Sequence, residues 1–255
     1  MTSSSSSSIS LTLLLFTFLP LTLSQSTIQI PAARKTWSKD DGLYCSSWRL
    51  SVETNNAGYW VKPPARCESY VEDYMTAERY LSDSEVVAAD SISFAKSVNV
   101  TGDGKDAWVF DIDETLLSNL PYYEVRFGQP YDEKSYDQWV NLAKAPALPS
   151  SLNLYKELKR LGFTIFLLTG RSEHQRNSTS KNLLFAGYND WERLFLRGVT
   201  DQGKTAIVYK SEKRMELVKE GYKIHGNSGD QWSDLLGFAV AKRSFKLPNP
   251  LYYLA

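Results

Sequence analysis

The chain lacks several features that mark particular classes of protein. Its 29 basic and 29 acidic residues cancel, so no excess of positive charge indicates binding to nucleic acid or to an anionic membrane surface. Its two cysteines, Cys45 and Cys67, do not have the spacing of a metal-binding motif. No internal repeat is found, and no low-complexity linker follows the serine-rich residues 1–8. With 42% hydrophobic and 23% charged residues, the 255-residue chain is typical of a globular protein, and a small-molecule substrate is the default expectation.

The longest apolar stretch lies at the N terminus, from Ile9 to Leu23. Its length is that of the hydrophobic region of a signal peptide and is short for a membrane span, and Pro20 interrupts it. The basic residues that usually precede such a region are absent, whereas small residues follow it. We therefore predict a signal peptide over residues 1–24, cleaved after Ser24 or Ser26, and no stable membrane anchor. The alternative is an anchor that is not cleaved.

Two weaker observations agree with the secretory pathway and with an extracellular or vacuolar destination. Cys45 and Cys67 form an even pair, close in sequence, that could close one loop by a disulfide in an oxidising compartment. They could instead be reduced core thiols if the protein is cytosolic. Asn99 and Asn177 each begin an Asn-x-Ser/Thr triplet, which is a glycosylation acceptor once a chain enters the secretory pathway.

The chain divides into two parts at a turn-rich joint near residues 99–106. Residues 25–100 contain several aromatic residues and apolar positions at spacings of three and four, which predicts a mainly helical N-terminal extension. Residues 101–255 alternate short apolar runs with amphipathic segments, which predicts an α/β fold with a doubly wound parallel sheet covered on both faces. The predicted strands are 107–110, 163–168, 194–196 and 222–225, and the predicted helices are 151–162, 172–187 and 210–221.

Polar residues follow the predicted strands, at the edge where parallel sheets bind their ligands. Asp111 and Asp113 end the first strand, and Thr169, Gly170 and Arg171 end the second. Asp230 and Asp234 follow the fourth strand, and Lys210 and Lys213 open the helix before it. Carboxylates, a hydroxyl and an ammonium are therefore predicted to meet at one edge of one sheet.

This combination of groups suits phosphoryl transfer. The carboxylate of Asp111 can attack phosphorus, and a divalent cation such as Mg²⁺ would offset the repulsion between the two anions. Asp111, Asp230 and the backbone carbonyl of Asp113 are its predicted oxygen ligands. Asp113 can act as general acid and then as base, while Thr169 and the amide of Gly170 can donate hydrogen bonds to the transferred group, and a lysine can neutralise its charge.

Four segments, "DIDET", "LLTGR", the lysine of "YKSEKR" and "GDQWSD", resemble in order and spacing the four motifs of the haloacid dehalogenase (HAD) superfamily. The resemblance is closest to the plant acid phosphatases related to vegetative storage proteins, subfamily IIIB. It implies that Asp111 is the nucleophile, Asp113 the acid/base, Thr169 the hydroxyl of the second motif and Asp230 a metal ligand. It also implies that Asp234 belongs to the outer shell of the metal site. For the third motif we prefer Lys210 over Lys213.

The resemblance also implies a HAD-like core with a small cap inserted at about residues 117–150. The aromatic side chains expected to shape the substrate entrance there are Tyr122, Tyr123, Tyr136 and Trp139. Because dimers occur among relatives, a homodimer is compatible with this assignment. Of the remaining polar residues, His174 and His225 are interpreted as structural, and Arg171 either touches the substrate or holds its loop.

The leading functional hypothesis is a secreted, Mg²⁺-dependent acid phosphatase that hydrolyses phosphomonoesters through a phosphoaspartyl intermediate. The alternative is a vegetative storage protein, an amino-acid reserve with little turnover, because some members of the family have lost the nucleophilic aspartate. This chain keeps Asp111. A phosphotransferase that passes the group to an alcohol is a third hypothesis.

Overall fold

A computed structural model of the chain describes residues 41–127, 129 and 131–254. The predicted signal peptide over residues 1–24 and the start of the N-terminal extension, residues 25–40, lie outside the described residues. The cleavage sites after Ser24 or Ser26 lie outside them as well.

Five parallel strands form one sheet with the order β3-β2-β1-β4-β5. β1 lies in the centre and pairs with β2 on one side and with β4 on the other, so that Phe110 lies beside both Leu167 and Ser228. This is the doubly wound parallel arrangement that the alternation of strands and helices predicts. The strands are β1 (Asp106–Phe110), β2 (Thr164–Ser172), β3 (Arg193–Arg197), β4 (Lys223–Gly229) and β5 (Arg243–Lys246).

The side chains of the central strands alternate between two hydrophobic cores. Trp108 and Phe110 point into a core shared with the helix of residues 149–160, whereas Ala107 and Val109 point into a core shared with the helix of residues 206–219. Because successive side chains of a strand face opposite sides of the sheet, this division requires a helical layer on each face. The predicted three-layer α/β class is confirmed.

In the described residues, six α-helices follow β1 along the chain. The helix that carries Lys210 begins at Ala206, one turn earlier than its sequence pattern indicates, because Thr205 caps it by accepting a hydrogen bond from the amide of Val208. The sequence pattern did not predict β5, which has only four residues and one buried side chain, Phe245. The helices are α4 (Leu120–Glu124), α5 (Glu133–Leu142), α6 (Pro149–Arg160), α7 (Arg176–Phe185), α8 (Ala206–Lys219) and α9 (Trp232–Leu235).

Three helices precede the sheet: α1 (Asp41–Glu53), α2 (Glu68–Thr76) and α3 (Glu78–Ser97). A disulfide joins Cys45 of α1 to Cys67, directly before α2, so the predicted pairing is confirmed. α3 packs against α6. Nowhere in the described residues does a helix combine the length and the apolar character that crossing a membrane requires.

The segment predicted as a cap, about residues 117–150, contains α4 and α5. Tyr122 of α4 packs edge to face against Tyr136 of α5 at a centroid distance of 5.4 Å. Its hydroxyl also lies 2.9 Å from the hydroxyl of Ser135. These contacts join the two short helices into one unit beside the carboxyl ends of the strands.

Candidate active site

The carboxyl ends of β1, β2 and β4 bring the predicted site residues together. Asp111 follows β1, and its amide donates to the carbonyl of Ser228 in β4 at 3.0 Å. Thr169 lies near the end of β2 and is fully buried, and Asp230 directly follows β4. Because β1 lies between β2 and β4, three residues that are far apart in sequence share one edge of the sheet.

Three of these carboxylates form a buried group, the carboxylate cluster, made of Asp111, Asp230 and Asp234. One oxygen of each lies within 4.8 Å of the others, and no residue of the three is more than 6% exposed. The ammonium of Lys210 donates to Asp111 Oδ1 at 2.6 Å and also to Asp234 Oδ1. One ammonium therefore faces three carboxylates, which leaves an excess of negative charge in a buried place.

The pKa values follow from this arrangement. Burial raises the pKa of Asp111 well above its usual range, Lys210 opposes the rise, and the charges of Asp234 and Asp230 add to it. Burial and the charge of Asp234 raise the pKa of Asp230 to about 7. Although burial favours the neutral amine, Asp111 and Asp234 raise the pKa of Lys210. Oxygen donors with excess negative charge fit a hard divalent cation, so the cluster could hold one.

Asp230 and Asp234 are held by groups around them. Asp230 Oδ2 accepts from Asn249 Nδ2 at 2.6 Å and from Gln231 Nε2 at 2.8 Å, while Oδ1 accepts from the hydroxyl of Thr115 at 3.3 Å. The amide of Gln231 donates to Asp234 Oδ2 at 2.9 Å. A Cβ atom at Gly229 would lie 2.4 Å from the Cβ of Asp234, so only glycine allows this close approach.

The side chain of Asp113 lies outside the carboxylate cluster and forms an ion pair with Arg171. Arg171 Nη2 donates to Asp113 Oδ1 at 2.7 Å and Arg171 Nε to Oδ2 at 3.0 Å. Asn119 Nδ2 at 2.8 Å and the hydroxyl of Tyr136 at 2.9 Å also donate to Oδ1, and Thr169 Oγ1 lies 3.4 Å from Oδ2. Burial alone would raise the pKa of Asp113, but the charge and hydrogen bonds of Arg171 lower it.

Arg171 therefore pairs with Asp113. The sequence had left open whether Arg171 touches the substrate or holds its loop. It is 4% exposed, and its Nη1 donates to the hydroxyl of Thr179 at 3.1 Å. Tyr136 reaches Asp113 from α5, so a ring that was predicted to shape the substrate entrance is a hydrogen-bond donor to the predicted acid/base. The prediction that the backbone carbonyl of Asp113 is a metal ligand stays a prediction.

Glu114 is the third acid of the first motif, and sequence reasoning gave it no role. It is fully buried with φ 53°, in the left-handed region. It accepts from the amide of Asn119 at 2.7 Å and from the hydroxyl of Tyr252. Burial, followed by the charge of Asp113, raises its pKa to about 7. The spacing of the acids in "DIDET" could have indicated that Glu114 belongs to the site. No sequence pattern around Asn119 or Tyr252 predicts that these residues contact Glu114.

The site opens into a cleft of about 1280 Å³. Gly170 lines it, and a Cβ at this position would meet no atom within 4 Å, so the backbone of the second motif faces open space. Trp139, also predicted at the entrance, donates its indole N–H to Asn119 Oδ1 at 2.8 Å and so supports the residue that holds Asp113. The aromatic residues of the lining include Tyr122, Tyr123, Phe127, Tyr131, Tyr136, Tyr252 and Tyr253.

The remaining candidate residues lie as follows. His225 is buried and bonded to Asp106 at 2.7 Å, at the start of β1 and thus far along the strand from Asp111. His174 lines the cleft and its Nε2 lies 2.9 Å from Asp137 Oδ1. Lys213 donates to Glu216 at 2.8 Å, whereas Lys210 reaches the carboxylate cluster. The predicted glycosylation sites, Asn99 and Asn177, are both exposed.

Comparison with known proteins identifies the family. The model of HAD superfamily subfamily IIIB acid phosphatases matches residues 32–255. Acid phosphatase 1 of Solanum lycopersicum is 53% identical over 216 residues, which cover 84% of this chain and 85% of that protein. Vegetative storage protein 2 of Arabidopsis thaliana is 41% identical over 215 residues, covering 82% of this chain and 80% of that protein.

A solved structure agrees with this assignment at the level of the fold. The class C acid phosphatase of Bacillus anthracis superimposes with a TM-score of 0.61 at 24% identity, covering 82% of this chain and 86% of that one. Together with the carboxylate cluster, Lys210 and the four motifs in order, these matches place the chain among the acid phosphatases of HAD superfamily subfamily IIIB.

Proposed function

We propose that this chain is a secreted, Mg²⁺-dependent acid phosphatase that hydrolyses small phosphomonoesters through a phosphoaspartyl intermediate on Asp111. The observation that supports it most directly is the burial of Asp111 beside Lys210 and two further carboxylates, at the inner end of an aromatic-lined cleft. A carboxylate placed among like charges costs free energy unless a cation joins it. A catalytic role for Asp111 would explain why the fold tolerates this free-energy cost.

In the first step an oxygen of Asp111 forms a bond to phosphorus as the bond from phosphorus to the leaving oxygen breaks. Asp113 must be protonated when this step begins, although its ion pair with Arg171 favours the charged form, so it first takes up a proton from solvent. It gives that proton to the leaving oxygen, which departs as an alcohol. Thr169 and the amide of Gly170 donate hydrogen bonds to the phosphoryl oxygens, and the ammonium of Lys210 neutralises charge that develops on them. Asp111, Asp230, Asp234 and the backbone carbonyl of Asp113 are the groups that would hold Mg²⁺, which would supply Lewis-acid charge to offset the repulsion between the anions.

In the second step Asp113 takes a proton from water as the water oxygen attacks phosphorus. The bond from phosphorus to Asp111 breaks, inorganic phosphate leaves, and both carboxyl groups return to their starting states. Arg171, Asn119 and Tyr136 keep the carboxyl of Asp113 in one place through both proton transfers, since each donates a hydrogen bond to it. Such fixed placement is what general acid–base catalysis requires.

The test is phosphate release from a chromogenic phosphate ester by the purified protein, with Mg²⁺ and after chelation by EDTA. We expect turnover with Mg²⁺, a large loss with EDTA, and background release from Asp111→Asn, which preserves the shape of the side chain. Release by the wild type that does not exceed release by Asp111→Asn would remove the enzymatic proposal.

A storage role with little turnover is the second candidate, and the similarity to vegetative storage protein 2 favours it. The same assay separates the two, because a reserve protein shows no difference between the wild type and Asp111→Asn. Secretion is tested separately: the mature protein should begin after residue 24 or 26 and should lose mass on glycan removal at Asn99 or Asn177.

A further inference from the structure

The last described residues of the chain, 247–254, form a C-terminal tail that runs directly over the carboxylate cluster. The tail follows β5, and the amide of Leu247 donates to the carbonyl of Gly229, one residue before Asp230. Leu247 and Leu251 pack into a hydrophobic cluster with Val71 and Met75 of α2. The tail is thus held between the N-terminal helices and the end of β4.

Asn249 of the tail fixes one oxygen of Asp230. It is 1% exposed, and its Nδ2 donates to Asp230 Oδ2 at 2.6 Å. Its own Oδ1 accepts from the amide of Leu251 at 2.8 Å, so the amide group has one orientation in which both contacts are satisfied. The flanking Pro248 and Pro250 restrict the backbone on each side, which lowers the entropy lost in holding Asn249 there.

Gln231 fixes the same oxygen, and the tail orients it too. Its Nε2 donates to Asp230 Oδ2 at 2.8 Å and to the carbonyl of Tyr252 at 3.2 Å. Its Oε1 accepts from the amide of Leu254 at 3.0 Å. Both amide side chains that donate to Asp230 therefore depend on backbone groups of the tail for their orientation.

The N-terminal helices support this arrangement from the other side. Glu53, the last residue of α1, accepts from the backbone amide of Asn249 at 3.0 Å. It also forms an ion pair with Lys246 at 2.8 Å, with side chains 17% and 13% exposed. A continuous set of contacts thus runs from α1 through Asn249 to the carboxylate of Asp230.

Two strong donors on Oδ2 have a consequence for how Asp230 can bind a cation. With Oδ2 occupied, Oδ1 is the oxygen left for a metal, and within the described residues it accepts one hydrogen bond, from the hydroxyl of Thr115 at 3.3 Å. Mg²⁺ requires near-ideal octahedral geometry and favours one oxygen per carboxylate, whereas Ca²⁺ accepts both oxygens and flexible geometry. Occupying Oδ2 therefore favours Mg²⁺ over Ca²⁺.

We propose that the C-terminal tail is part of the metal site: Asn249 and Gln231 are positioning residues that hold Asp230 for binding through one oxygen and thereby set the preference for Mg²⁺. The inference rests on the proposed function, since it assumes a divalent cation in the carboxylate cluster. It assigns a role to Asn249 and to Glu53, which supports Asn249, and both residues lie outside the four motifs.

The test is isothermal titration of the full-length chain, after EDTA treatment and dialysis, with MgCl₂ and separately with CaCl₂. Outer groups that orient metal ligands typically change affinity by about 10-fold to 100-fold. We expect Asn249→Ala to raise the Kd for Mg²⁺ by an amount in that range and to raise the Kd for Ca²⁺ much less. Gln231→Ala should act in the same direction and provides the test if Asn249→Ala does not fold.

Asp106→Asn is the control for lost stability, because Asp106 lies at the opposite end of β1. Its Kd for both cations should match that of the wild type. Equal affinities in Asn249→Ala and the wild type, or equal weakening for Mg²⁺ and Ca²⁺, would overturn the positioning role and leave the proposed function intact. A wild-type chain that binds no Mg²⁺ would overturn this inference together with the metal dependence of the proposed function.

Discussion

Replacing Lys210 by Met tests the electrostatics of the carboxylate cluster. The Nζ atom of Lys210 contacts Asp111 and Asp234, and the three side chains are between 3% and 7% exposed. Methionine fills most of the volume of the lysine stem but donates no hydrogen bond and carries no charge. The substitution therefore leaves three buried carboxylates without their ammonium partner while disturbing the packing little.

The expected loss is large because the unpaired charges remain buried. Removing one partner of a buried ion pair costs about 3–5 kcal/mol. For a domain of this size, 1 kcal/mol corresponds to roughly 2–4 °C, so in EDTA at pH 7 the melting temperature should fall by roughly 6–20 °C. Phosphatase turnover should fall by about 10²- to 10³-fold, since Lys210 also neutralises charge on the transferred group.

Lys213→Met is the matched control, with the same substitution on the same helix. Lys213 pairs with Glu216, which is 45% exposed, and surface pairs of this kind contribute below about 1 kcal/mol. Its melting temperature and turnover should stay close to those of the wild type. If Lys210→Met melts within about 2 °C of the wild type in EDTA, or if Lys213→Met loses as much, Lys210 does not hold the carboxylate cluster together by its charge.

Two further substitutions test other parts of the site and fold. Gly170→Ala should leave the melting temperature unchanged, because a Cβ meets no atom within 4 Å, yet it should lower kcat/KM by roughly 10-fold to 100-fold by placing a methyl group in the cleft. A drop in melting temperature with normal kinetics would contradict this placement. Asp106→Asn should lower the free energy of unfolding in urea at pH 7 by about 1–3 kcal/mol. The amide of Thr101, then its hydroxyl and His225, lower the pKa of Asp106 from 3.8 to about 2 against the effect of burial, so this stability is present above pH 3.8 and lost towards pH 2. The difference from the wild type should therefore shrink over that range, and a difference independent of pH would refute the assignment.

Much of the fold could be predicted because it depends on local patterns. Four of the five strands and the helices α6, α7 and α8 follow from apolar runs and amphipathic spacing, and a parallel sheet follows from their alternation. The two short helices α4 and α5 were not predicted. β5 could not be predicted in this way, since "RSFK" is short and has one buried side chain. The apolar spacing predicts a start of α8 at residue 210, which is one turn too late, because this spacing does not report the N-cap at Thr205.

The residues of the candidate site could be predicted from the sequence, but the contacts between them could not. The acids of "DIDET" and "GDQWSD" indicate a metal and a nucleophile, because like charges after a buried strand need a cation. The ion pair between Asp113 and Arg171 joins residues 58 positions apart, and the bond between Asn249 and Asp230 joins an apolar terminal segment to a motif 19 positions earlier. No local pattern encodes such contacts.

The sequence by itself determined the chemical groups, the order of the strands along the chain and the family, because residue types and spacings are sufficient for these. Only the tertiary structure decided which of these groups contact one another. In the folded chain Lys210, and not Lys213, donates to Asp111. Arg171 forms an ion pair with Asp113, and Asn249 donates to Asp230. The physical reason is that hydrogen bonds and ion pairs act over about 3 Å, and only folding brings side chains from distant positions within that distance.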